Sequence, residues 1–168
     1  NRGPVNTVNP PVERGSTVLL PTREILYGDG KVYGRMGLTV HRELEAALCV
    51  LENAEYCRLA TNGLQSIALA VGAVLEAGDH ILISDSIYGP SRRFCTRRLS
   101  AMGIEATRFN PTIGGDLSDF ARPNTKAVLI ESPGSLTMDI MDTPAIVALA
   151  KERGWITLFD NTWGVGVY

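Results

Sequence analysis

The stretch Trp155-Ile156-Thr157-Leu158-Phe159-Asp160-Asn161-Thr162-Trp163 runs an apolar, partly β-branched strand pattern straight into a carboxylate. Ligands of open parallel α/β sheets sit just beyond the carboxyl ends of the strands. Asp160 in that place can hold a cationic or protonated nitrogen; a loop Asp that caps a turn is the alternative. The turn Ala60-Thr61-Asn62-Gly63-Leu64-Gln65-Ser66 joins a predicted strand to a predicted helix. Gly63 lets backbone approach a ligand closely, and the N–H groups that follow, from Leu64 on, point out of a helix N-terminus, where phosphate binds well. The turn is neither a GxGxxG fingerprint nor a Walker A loop. Asp85-Ser86-Ile87-Tyr88-Gly89-Pro90 also follows a predicted strand, and Tyr88 there can stack on a planar ring. Tyr33-Gly34-Arg35 offers a hydroxyl and a two-pronged guanidinium that can share a phosphate. An ordinary αβ turn, a Tyr packed on its loop and a solvated Arg are the respective alternatives. Arg92, Arg93, Arg97 and Arg98 read as a solvated helix face rather than an anion site.

Together these stretches meet the needs of one ligand: a phosphate, a planar aromatic ring and a ring nitrogen to be kept protonated. That combination fits pyridoxal phosphate. A carboxylate beside its pyridine nitrogen keeps the ring cationic, and the cationic ring stabilises a substrate carbanion.

The elements that must position these residues follow from hydrophobic periodicity. Residues 1–38, with Pro4, Pro10, Pro11 and Pro21, show little period and read as an extended N-terminal arm. Thr39 to Asn53 is predicted helical, with Leu44, Ala47, Leu48 and Leu51 on one face. Strands are predicted at Tyr56–Ala60, His80–Ser84, Ile104–Phe109, Lys126–Ile130 and the opening stretch. Helices are predicted at Leu64–Glu76, Ser91–Met102 and from Asp142 to about Arg153, with a short turn near Leu117–Phe120 and a long loop from Ser132 to Met141. About five strand–helix alternations predict an α/β fold with a mostly parallel, doubly wound sheet over residues 39–168.

Composition narrows the class. The 168 residues are 45% hydrophobic and 20% charged, as in a globular domain with a real core. A net charge of −2 with both signs scattered gives no footprint for nucleic acid. No apolar run approaches the roughly 20 residues that span a bilayer. The polar, proline-rich first residues do not read as a signal peptide. Cys49, Cys57 and Cys95 form no CxxC and have no His at metal spacing, so neither a disulfide framework nor a metal site is expected. Reduced thiols in a cytoplasmic protein are the reading, with structural roles for His41 and His80.

Several ordered stretches resemble the Cys/Met-metabolism family of pyridoxal-phosphate enzymes, which has the aspartate-aminotransferase-like fold. They are Asn9-Pro10-Pro11-Val12 with Gly15-Ser16-Thr17-Val18-Leu19, Tyr33-Gly34-Arg35, Ala60-Thr61-Asn62-Gly63-Leu64, Asp85 to Pro90, Glu131-Ser132-Pro133-Gly134-Ser135 and Asp160-Asn161-Thr162. The resemblance covers essentially the whole chain. Glu131 to Thr137 and Asp160-Asn161-Thr162-Trp163 are most similar to the bacterial cystathionine β-lyase branch. The γ-lyases and γ-synthases more often carry Asn-Pro where Ser135-Leu136 stand, and a residue other than Trp at Trp163.

The resemblance implies that Tyr33 and Arg35 reach across a dimer interface to the cofactor phosphate of the neighbouring subunit. Gly63 and Leu64 would bind the phosphate of their own subunit through backbone N–H groups. Tyr88 would stack on the pyridine ring and assist proton transfer, and Asp160 would pair with the ring nitrogen. Ser135 stands where the family commonly has Asn near the cofactor and substrate carboxylate, and Tyr27 would face the substrate. No residue is assigned to a metal. The implied reaction is β-elimination, cystathionine yielding homocysteine, pyruvate and ammonia, in a homo-oligomer with shared sites that extends to a tetramer. The alternatives are a cystathionine γ-lyase or γ-synthase, a methionine γ-lyase, or a truncated non-catalytic assembly or regulatory subunit. Family members also carry a cofactor-anchoring lysine well beyond the aspartate and a C-terminal domain. Neither Lys31, Lys126 nor Lys151 has that context. The chain therefore reads as the N-terminal part of such an enzyme, its large domain incomplete, inactive without the remainder or a second polypeptide that carries it.

Overall fold

A computed structural model describes residues 8–28 and 32–166. Lys31 lies outside the described residues. The chain divides into two compact units, residues 1–59 and 60–168.

Among its described residues, the first unit has one α-helix, α1 (Thr39–Leu51). Leu38 donates its backbone N–H to His41 Nδ1 at 3.1 Å, and Glu13 Oε2 accepts from the Thr39 N–H at 2.7 Å, so two side chains satisfy backbone groups at the helix start. The structural role expected for His41 is the one observed. Single 3-10 turns form at Glu24–Tyr27 and Gly34–Met36, and the other described residues of the arm are irregular apart from an isolated Thr17–Tyr33 bridge. The strand predicted over Tyr56–Ala60 does not form. A segment this short needs a partner ladder, and none pairs with it. Tyr56 is exposed and Cys57 half-buried, so no face of the segment packs as a pleat.

The second unit is built on four parallel strands, β1 (His80–Ser84), β2 (Glu105–Phe109), β3 (Thr125–Glu131) and β4 (Ile156–Asp160), in the order β2-β1-β3-β4. The α/β parallel class is as expected, with four strands rather than five. β1 and β3 are central and almost wholly buried, as apolar runs in a sheet covered on both faces should be. Period-2 alternation then sorts their side chains. Ile81, Ile83, Ala127 and Leu129 face one core with Val71 and Leu75 of α2 (Gly63–Val74) and its end, and with Cys95 and Leu99. Leu82, Val128 and Ile130 face the other with Phe109, Leu117, and Ile146 and Ala150 of α4 (Thr143–Arg153). Fully burying each such aliphatic side chain is worth about 1.5–3 kcal/mol.

Cys95 and Leu99 belong to the helical run that starts as α3 (Gly89–Arg93) and continues with π geometry over Phe94–Leu99. The turn predicted near Leu117–Phe120 is longer than expected, Pro111–Phe120, with a kink at Gly114. α4 opens on Asp142, whose side chain accepts from the Ala145 N–H at 3.1 Å, and closes on Gly154 in the left-handed region at φ 70°.

At the amino end of the sheet the fully buried His80 ties three strands together. Its Nδ1 pairs with Thr125 Oγ1 and its Nε2 with Thr107 Oγ1, both at 2.8 Å. Burial, with the Arg122 guanidinium nearby, pushes its pKa down to about 4.

Candidate functional site

The strand order gives the sheet a switch point. The connection from β1 leads to β2 on one side, while β3 lies on the other side of β1 and leads on to β4. Ligands of sheets of this kind bind outside the carboxyl ends of the strands at such a point. The carboxyl ends of β1, β3 and β4 and the start of α2 meet on this side of the sheet.

Asp160 is the last residue of β4 and lies in register with Glu131, the last residue of β3. Both continue the row of Leu129 and Leu158 on the α2 face, one period-2 step further along their strands. Two carboxyl groups therefore stand side by side at the ends of adjacent strands. Asp160 Oδ1 accepts from the Thr162 N–H at 3.2 Å and from Thr162 Oγ1 at 2.5 Å, which fixes the carboxylate at the start of a turn. The turn-capping alternative is thus realised, and it orients the group rather than consuming it. Among the described residues, no donor meets Oδ2.

Glu131 is buried, and its Oε2 accepts the backbone N–H of Tyr88 at 2.6 Å. Burial pushes its pKa up, and the Asp160 charge adds to that. The Tyr88 N–H and a hydrogen bond from Ser135 oppose it. The β1 loop is further tied to the β3 loop by the Ser135 N–H, which donates to Ser86 O at 2.8 Å. Gly134 makes that contact possible. A Cβ on it would stand 2.5 Å from Ser86 Cβ and 2.7 Å from Ser86 Oγ. Beyond it, Leu136 is fully exposed and left-handed at φ 66°.

Asn62 caps α2, its Oδ1 accepting from the Gln65 N–H at 2.9 Å. Gly63 and Leu64 open the helix, so their N–H groups have no intrahelical acceptor. The space where a Gly63 Cβ would be is open, with no heavy atom within 4 Å.

These groups line one cavity of about 550 Å³, walled by Asn62, Gly63, Leu64, Tyr88, Glu131, Ser135, Asp160, Thr162 and Trp163. A more apolar cavity adjoins it and shares Gly63, Asp160 and Thr162. Five predicted residues, Gly63, Leu64, Tyr88, Ser135 and Asp160, are therefore brought together. Tyr33, Arg35 and Tyr27 belong to the first unit. Tyr33 bridges to Thr17, Gly34 N donates to Ser16 O at 2.6 Å, and the Arg35 guanidinium lies 5.7 Å from the Tyr33 ring centroid, within cation–π range. Tyr27 is exposed. Glu131 and Trp163 escaped the residue-by-residue reading as site groups. The signal for Glu131 was available: it ends an apolar strand in the same way as Asp160.

The donor set fits a phosphorylated, nitrogen-containing aromatic ligand. Unpaired helix N–H groups suit a phosphate, a fixed carboxylate suits a ring N–H⁺, and Tyr88 offers an aromatic wall. Among the described residues, no cluster of His, Cys, Asp and Glu could hold a metal ion, and no helix is long and apolar enough to cross a membrane.

Comparison with known proteins agrees with that donor set. A family model described as "Cys/Met metabolism PLP-dependent enzyme" matches residues 1–168. The cystathionine β-lyase of Salmonella typhimurium is 36% identical over 172 residues, covering 97% of this chain and 44% of that protein. The cystathionine β-lyase MetC of Escherichia coli is 42% identical over 137 residues, covering 80% of this chain and 35% of that protein. The crystal structure of metB from Corynebacterium glutamicum superposes with a TM-score of 0.88 at 25% identity, over 95% of this chain and 41% of that one. The chain spans less than half the length of these relatives.

Proposed function

The chain belongs to the Cys/Met-metabolism family of pyridoxal-phosphate-dependent enzymes, and from that premise we propose that it serves a carbon–sulfur lyase acting on cystathionine by β-elimination. The observation that carries the reading is the single cavity that gathers the free N–H groups of Gly63 and Leu64, the ring of Tyr88 and the carboxylate of Asp160. Two curated relatives at 36% and 42% identity bear the name cystathionine β-lyase. The Ser135-Leu136 pair adds support. Leu136 has φ 66°, a conformation closed to proline, so this loop is built differently from the Asn-Pro expected in γ-type members.

Pyridoxal phosphate, when bound, supplies the electron sink that stabilises negative charge at the substrate α-carbon. The chain supplies the rest. Gly63 and Leu64 hold the phosphate with their N–H groups and the positive end of α2. Tyr33 and Arg35 complete that grip from a neighbouring subunit. Asp160 keeps a proton on the ring nitrogen, Tyr88 covers one ring face, and its Oη relays a proton. Ser135 is assigned to the substrate carboxylate and Tyr27 to a substrate-facing role from the arm. In the overall reaction the Cβ–S bond of cystathionine breaks, the thiolate leaves as homocysteine, and water completes release of pyruvate and ammonia. The anchoring lysine is assigned to the part of the relatives that this chain does not match. The working form is a cytoplasmic homo-oligomer, a tetramer built from dimers with shared sites.

Product analysis on the complete enzyme tests this. Cystathionine should give pyruvate with homocysteine, whereas γ-elimination would give 2-oxobutyrate with cysteine. Asp160→Ala should lower turnover by at least about a hundredfold, on the scale of losing a transition-state charge partner, while the far-UV spectrum is unchanged. Near-normal turnover of Asp160→Ala with full cofactor loading would refute the assigned site.

A further inference from the structure

Glu131 is the one cavity-lining acid to which the proposed chemistry gives no task, yet it is the better buried of the two. It is 3% exposed, in a position that is costly for a carboxyl group unless its bonds are worth that cost. Oε2 takes the Tyr88 N–H at 2.6 Å, at the short end for a bond to a carboxylate. Ser135, on the neighbouring loop, favours the charged form of the same carboxylate. Tyr88 is also the residue that enters α3, at φ −46° and ψ 128°, a non-helical conformation with no side-chain cap to fix it. What holds the Tyr88 backbone at the mouth of the cavity is therefore a side chain 43 residues away. Tyr88 as a whole is 48% exposed.

We infer that Glu131 is a positioning residue that holds the Tyr88 ring over the cavity by bonding the Tyr88 backbone N–H. The inference rests on the cofactor reading of the cavity. It extends that reading by giving the stacking position to a carboxyl group that need not touch the ring. A neutral side chain with an acceptor oxygen in the same place serves the same purpose. Glu131→Gln is thus the rescuing variant and Glu131→Ala the deleting one.

The test uses this chain with pyridoxamine 5′-phosphate, which has no aldehyde to react with lysines, and follows quenching of Trp163 in the same cavity. Tyr88→Ala and Glu131→Ala are each expected to weaken binding about tenfold, the scale of losing one well-placed aromatic contact. The double variant should be no weaker than either single one. Glu131→Gln should stay within about twofold of the unaltered chain. In amide NMR, the Tyr88 N–H should resonate far downfield and lose that shift in Glu131→Ala. Equal binding by Glu131→Ala and the unaltered chain, or losses that simply multiply in the double variant, overturn the inference while Tyr88→Ala still reports on the cofactor site. If Gly63, Tyr88 and Asp160 variants all bind as the unaltered chain does, the cofactor reading itself fails, and the inference with it. If Glu131→Ala does not fold, Glu131→Gln decides: a tenfold loss there refutes an acceptor role.

Discussion

Lowering the pH puts a charge on His80 in the one place where the second unit can least accommodate it. The ring is fully buried between Thr125 and Thr107, and Arg122 is close by. The threonine oxygens already accept from Arg122, its N–H at 2.8 Å to Thr125 and its Nη2 at 3.4 Å to Thr107. Protonation would turn both ring nitrogens into donors, ending the hydroxyl donation one of them receives, and would add a buried cation beside Arg122. The pKa therefore falls from 6.5 to about 4 on folding. The sign follows from linkage. Between those two values the unfolded chain binds the proton and the native state does not, so stability is full above pH 6.5 and declines as pH falls through about 4. At about 1.4 kcal/mol per pKa unit the total is about 3 kcal/mol, of which about 2 kcal/mol is gone by pH 5. Urea unfolding at pH 7.5 and pH 5 measures it. Trp155 and Trp163 are the only tryptophans and both lie in the second unit, so their fluorescence reports on the relevant fold. His80→Gln is the control. It is less stable at pH 7.5 because one side chain cannot bridge both threonines, and that gap should narrow by about 2 kcal/mol at pH 5. Glu131, whose pKa is raised by burial, favours the native state as pH falls, but it does so in both proteins and cancels. Parallel pH profiles for the two proteins, or a His80 ring titrating near 6.5 by NMR, would refute the reasoning.

Three further outcomes follow from contacts already described. Gly134→Ala forces a methyl group against Ser86; it should cost about 1–3 kcal/mol in urea unfolding and broaden the Tyr88 amide resonance. Cys95 is fully buried with its thiol pushed up to about 12, so a thiol reagent at pH 8 should spare it until denaturant is added, while the half-buried Cys49 and Cys57 react first; early labelling of Cys95 in peptide maps would contradict the packing. In the complete enzyme, Arg35→Ala should weaken cofactor retention, and mixing it with Asp160→Ala subunits should restore part of the activity if sites are shared; no recovery would place Arg35 in its own subunit's site.

Much of this arrangement was legible because the relevant signals are local. The runs Ile81–Ile83 and Ala127–Ile130 are apolar throughout, as strands of a doubly covered sheet are, and each is followed by polar residues, Ser84-Asp85 and Glu131-Ser132. Asn62 before Gly63 and Asp142 before Pro144 announce helix starts through capping chemistry that needs no tertiary information. What was not legible depends on partners distant in sequence. Tyr56–Ala60 has the composition of a strand and lacks a ladder to join. Glu131 reads as a polar residue after a strand, and only the fold reveals that Tyr88 lies on it. Gly134 could be any loop glycine until Ser86 is seen filling the space a side chain would need.

The alignment of Glu131 with Asp160 has a bearing on where this chain can change length. A single-residue deletion within β4 would bring Asn161 into step with Glu131 and turn the carboxylate to the opposite face of the sheet. Insertions after β1 or β3 would separate loops that are tied to one another through Ser86, Tyr88 and Ser135. The turns at the other end of the sheet, around Ala77–Gly78, Gly103, Pro123–Asn124 and Gly154, are largely exposed and remote from these ties. Tags, spectroscopic labels and grafted peptides belong at those amino-end turns, where added residues can loop into solvent without disturbing the spacing of the two acids.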